Sequence, residues 1–67
     1  MSATRVVIEM YEKFPEIYFY REFSNGREVE LYFECNGYPK ECVEFLKNEG
    51  LPYSYRNYRL KVYALED

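Results

Sequence analysis

The sequence predicts an α+β fold: a four-stranded mixed sheet in the order β-β-β-α-β, with one helix packed on one face. Three features predict it. Apolar and polar residues alternate in several segments, Asn25-Gly26 separates two of these, and one run with helical spacing opens at Pro39 and closes at Gly50.

In the first segment, Thr4 to Tyr11, Val6, Ile8 and Met10 alternate with Arg5, Val7, Glu9 and Tyr11. This is the period of a half-buried strand, and β-branched Val6, Val7 and Ile8 favour it. A helix is the rival reading, since Val6, Val7, Met10, Tyr11 and Phe14 also fall at helical spacing and Ser2 or Thr4 offers a cap. The β-branched run decides for a strand. Phe14-Pro15 ends it, because proline restricts the residue before it and donates nothing to a ladder.

Glu16 to Phe23 and Arg27 to Cys35 flank Asn25-Gly26, a strong hairpin signal. A two-residue loop there sets Phe19 opposite Tyr32 and mixes apolar with polar faces. A three-residue loop, Ser24-Asn25-Gly26 with Gly26 left-handed, instead gathers Ile17, Phe19 and Phe23 with Val29, Leu31 and Phe33, and sets Phe19 opposite Leu31. The second register is expected. Pro39 then opens a helix that runs to about Glu49, with Cys42, Phe45 and Leu46 as its inward set. Tyr53 to Leu65 reads as one long final strand, parallel to the third through a right-handed crossover.

The 67 residues leave room for a single domain, 1–67, and the 21 % aromatic content compensates for a small core. No stretch approaches a membrane span, and no basic segment leads into a long apolar run. Two cysteines are too few for a secreted disulfide framework, so a cytoplasmic protein with reduced thiols is expected. Net charge is −3, and the acidity lies in residues 1–37, with seven acidic and four basic side chains against five of each in 38–67.

No residue set points to catalysis or to a cofactor. There is no histidine, and glutamates on an open sheet face lack the cleft that shifts pKa values and excludes water. A zinc site within one chain lacks ligands. The expected role is a non-enzymatic regulatory or inhibitory protein that docks on another macromolecule.

In the expected register the outer hairpin face collects Glu16, Tyr18, Tyr20, Glu22, Glu28, Glu30, Tyr32 and Glu34. Tyr18, Tyr20, Glu22, Glu28, Glu30 and Tyr32 form the candidate docking surface, since tyrosine supplies contact area at low entropic cost and carboxylates steer a basic partner. The partner class is another protein, basic or itself nucleic-acid-binding, or a second copy in a homodimer. A plain mixed surface, with Arg59, Lys61 and Arg5 neutralising the carboxylates, is the simpler account. The alternative site is Tyr55, Arg56, Tyr58, Arg59 and Lys61 in residues 53–63, where aromatics interleave with cations as single-stranded nucleic acid requires.

Leu31 to Cys35, the helix from Pro39 to Glu49 and Gly50-Leu51-Pro52-Tyr53 together resemble the first βαβ unit of glutaredoxins, over about a third of the chain. That family opens the helix with a CxxC pair, whereas six residues separate Cys35 from Cys42 here. The thiol chemistry is therefore not carried over, and both cysteines read as small buried hydrophobes.

Overall fold

The computed structural model describes residues 1–67, and its elements run α-β-β-α-β-β. They are α1 (Ala3–Lys13), β1 (Tyr18–Ser24), β2 (Glu28–Glu34), α2 (Lys40–Asn48), β3 (Tyr53–Arg56) and β4 (Arg59–Leu65). The fold is α+β, with two helices and a four-stranded sheet of order β1-β2-β4-β3, antiparallel throughout.

Two expected elements are corrected. The first segment is a helix, because packing overrides the strand preference of Val6, Val7 and Ile8. Ala3, Val6 and Met10 form a buried stripe that ends on Phe14, while Tyr11 is 71 % exposed. Ser2 caps the helix by accepting from the Arg5 N–H, and Glu9 pairs with both Arg5 and Lys13 one turn away on either side. The final segment is not one strand but the β3–β4 hairpin, turning at Asn57-Tyr58. That hairpin makes the sheet antiparallel instead of mixed. It also removes the glutaredoxin-like unit, since β4, and not the strand that follows α2, lies beside β2.

The α2 helix forms where the spacing places it. Gly50, with φ 69°, provides the left-handed residue that ends it: the Gly50 N–H donates to the Lys47 carbonyl (3.1 Å) and the Leu51 N–H to the Leu46 carbonyl (2.9 Å). Both helices pack on one sheet face. There Val29, Leu31 and Phe33 of β2 and Leu60, Val62 and Ala64 of β4 meet Val6 and Met10 of α1 and Cys42 and Leu46 of α2. Phe14 and Phe45 join the helices edge to face at 5.9 Å.

The β1–β2 register differs from the expected one. Gly26 does take a positive φ, 96°, but the Asn25 N–H donates to the Glu28 carbonyl (3.0 Å), which leaves the two-residue loop Gly26-Arg27 with glycine at its first, positive-φ position. Ser24 then faces Val29, Phe23 faces Glu30 and Glu22 faces Leu31. A bulge at Tyr20 restores the other parity, so that Phe19 lies opposite Phe33, neither Leu31 nor Tyr32. Phe19 and Phe33 are on the inner face, at a ring distance of 5.4 Å, but Phe23 is turned outward.

Candidate functional site

The face opposite the helices carries no covering element. Its side chains follow from strand alternation: because Val29, Leu31 and Phe33 point inward, Glu28, Glu30, Tyr32 and Glu34 point out, and on β4 Arg59, Lys61, Tyr63 and Leu65 do the same. Ser54 and Arg56 of β3 join them as the partners of Lys61 and Arg59.

On β1 the bulge decides which residues reach this face. Two residues of the bulged strand, Tyr20 and Arg21, oppose the single residue Tyr32. Their contacts agree: the Tyr20 ring lies 6.2 Å from that of Tyr32, tilted by 55°, and the Arg21 guanidinium lies over the Tyr32 ring at 5.7 Å. Glu22 is paired with Leu31 and so leaves the outer face, which corrects its expected place in the docking surface.

The resulting face has two ends. Toward the β3–β4 turn stand Tyr18, Tyr20, Arg21, Tyr32, Arg56, Arg59 and Lys61, with Glu34 as cross-strand neighbour of Arg59. Toward the β1–β2 turn stand Phe23, Glu28, Glu30, Tyr63 and Leu65. Tyr20, Tyr32, Ser54, Arg56, Asn57, Arg59 and Lys61 line an open groove of about 590 Å³ at the first end.

Lys61 is the hinge between the ends. Its ammonium lies over the rings of Tyr32 (5.6 Å) and Tyr63 (5.5 Å) and pairs with Glu30 at 3.9 Å. Tyr63 and then Tyr32 raise its pKa, so it stays charged. The Tyr32 phenol donates to Glu30 at 2.5 Å, and that bond, helped by desolvation and the carboxylate charge, raises the phenol pKa. Arg56 and Arg59 are directly opposed, and neither makes an ion pair. Like charges placed so destabilise a ladder unless something neutralises them.

Both expected surfaces are thus regrouped. Tyr18, Tyr20, Glu28, Glu30 and Tyr32 share the outer face, but Arg56, Arg59 and Lys61 from the alternative set share it too. Tyr55 does not: it is the partner of Leu60, half-buried on the helix side, and meets Tyr38 edge to face at 5.4 Å. Arg21, Ser54 and Asn57 were not among the expected residues. The signal for Arg21 was present in Ile17-Tyr18-Phe19-Tyr20, an aromatic run that breaks strict alternation where the bulge occurs.

The thiols offer no reactive centre. Cys35 and Cys42 are free and buried, and Cys42 lies 3.4 Å from the Met10 sulfur. Burial first, then Cys35 and Glu16, pushes the Cys42 thiol up to about 12, and burial with Glu16 raises Cys35. Neither supplies thiolate at neutral pH. No group of three His, Cys, Asp or Glu side chains converges to hold a metal, and no helix is long and apolar enough to cross a membrane. Compared with protein-family models, with curated proteins and with solved structures, the chain gives no match.

Proposed function

We propose that this chain is a non-enzymatic binding domain that takes single-stranded nucleic acid across the basic end of its open sheet face. The direct opposition of Arg56 and Arg59, neither of them in an ion pair although Glu34 faces Arg59 from β2, carries the reading. It is an arrangement that a phosphate relieves, and it stands beside Tyr20 and Tyr32 in the open groove of about 590 Å³. Arg21 and Lys61 extend the cationic line across the sheet, over the ring of Tyr32. Backbone phosphates are met by the cations and an unstacked base by Tyr20, whose ring is tilted against that of Tyr32 and does not cover it. Free, buried thiols suit the cytoplasm as the compartment.

The net charge of −3 works against a polyanion, so the local field of four cations must outweigh it at short range. Affinity is expected in the micromolar range at low salt, with a salt slope of about −3 if all four contact phosphate, at roughly −0.7 per contact for single strands. The test is titration of labelled single-stranded DNA and RNA against the wild type and the triple variant Arg56→Ala, Arg59→Ala, Lys61→Ala. Salt-sensitive binding lost in the variant supports the reading; equal binding by both, or none by the wild type at low salt, rejects it.

A protein partner is the second reading. It is favoured by Phe23 and Leu65, 49 % and 61 % exposed, next to Glu28 and Glu30 at the acidic end. A basic partner fits that end, and so does a second copy turned so that its basic end covers the acidic one. Sedimentation at high concentration separates the two, since only the second copy makes the protein associate with itself.

A further inference from the structure

The two residues of the β3–β4 turn, Asn57 and Tyr58, have φ of 51° and 65°, so both are left-handed, as a type I′ turn requires. Asparagine reaches this region readily, but a bulky side chain does so against steric resistance, and glycine is the usual second residue. The chain places tyrosine there instead. Its ring receives little from the fold in return: Tyr58 is 60 % exposed and makes none of the ring contacts that engage Tyr20, Tyr32 and Tyr38. Its backbone, by contrast, is pinned, since the Cys35 N–H donates to the Tyr58 carbonyl at 2.8 Å.

Strained residues that persist because their surroundings over-determine them cluster at binding sites. The residues on either side of Tyr58, Asn57 and Arg59, both line the groove, and Tyr58 itself stands at the turn beside that lining and not within it. We infer that Tyr58 is a further ligand-binding residue: the turn holds its ring at the end of the groove as a platform for the next base of the bound single strand. The inference rests on the nucleic-acid reading. It explains why the turn departs from Asn-Gly, the sequence that would fold with least strain.

Two substitutions test it. Tyr58→Gly relieves the left-handed tyrosine, so its melting temperature should equal or exceed that of the wild type, while affinity for a labelled oligonucleotide falls about five- to a hundredfold, the worth of one stacked base. Tyr58→Phe keeps the ring and should keep the affinity. If Tyr58→Gly binds as tightly as wild type while Arg59→Ala does not, Tyr58 is a turn residue alone and the inference is overturned with the groove reading intact. A large drop in melting temperature in Tyr58→Gly also overturns it, since the ring would then belong to the fold. If the wild type fails to bind, both readings fall together.

Discussion

Glu30 and Tyr32 stand two residues apart on the outer face of β2, and the phenol of one donates a 2.5 Å hydrogen bond to the carboxylate of the other. The same carboxylate pairs with Lys61. Glu30 therefore holds two groups of the groove in place and also carries a charge that repels phosphate. In Glu30→Gln the amide oxygen still accepts from Tyr32 while the charge is gone. Affinity for single-stranded nucleic acid should rise a few-fold in a fluorescence anisotropy titration, with little change in melting temperature. A weaker complex would mean that Glu30 matters more as a brace than as a repelling charge.

Tyr20 and Tyr32 are only half-buried, and both stand on the face without helices. Tyr20→Ala and Tyr32→Ala should each weaken binding by roughly 1 to 3 kcal/mol with the fold kept, as expected for rings that stack on bases and not on the core. Circular dichroism melts run beside the titrations check it. Unfolding in both variants would place these rings among the elements that stabilise the sheet.

Leu31 and Leu60 lie fully buried on the inner face, one on each central strand. Leu60→Ala should cost about 2 to 5 kcal/mol, the loss of transfer free energy plus the cavity it leaves. A 67-residue chain has little stability in reserve, so much of this variant should be unfolded at room temperature, as urea titration would reveal. A shift of only a few tenths of a kcal/mol would mean that the helices close over the gap.

Alkaline pH should destabilise the fold through Cys42. Its folded-state pKa of about 12 lies above the ordinary 9.0, so between these values the native chain keeps a proton that the unfolded chain releases. Unfolding thus liberates protons in this window, and stability declines as pH rises from about 9 toward 12, with Cys35 and Tyr32 adding in the same sense. Melting temperatures of wild type and Cys42→Ala across this range should converge as pH rises. Parallel curves would assign the alkaline loss to other groups.

How far the sequence speaks for this fold is seen at its turns. Gly26 and Gly50 mark a hairpin and a helix end, because each occupies a backbone conformation that glycine reaches at least cost, and both were legible. Asn57-Tyr58 makes the same kind of turn without glycine, so residues 53–65 read as one strand and the antiparallel pairing of β2 with β4 stayed hidden. In α1 the residues carry two periodicities at once. Only the stripe of Val6, Met10 and Phe14 against the sheet decides between them, and that is a property of the partner surface. The outer face was legible as tyrosine-rich, but its charge was not, since charge there depends on register and register on one unpaired residue.

That residue is Tyr20. In an unbroken ladder continuing from Phe19 opposite Phe33, Arg21 would turn toward Leu31 and Glu22 would come out beside Glu30. The outer face would exchange a cation for an anion with no substitution anywhere in the chain. Electrostatic character here is thus written in the register of a strand as much as in its letters. A lineage carrying this fold could exchange Arg21 for Glu22 on the outer face by smoothing the bulge and lengthening the β1–β2 turn by one residue, a step that a position-by-position comparison of charges would overlook.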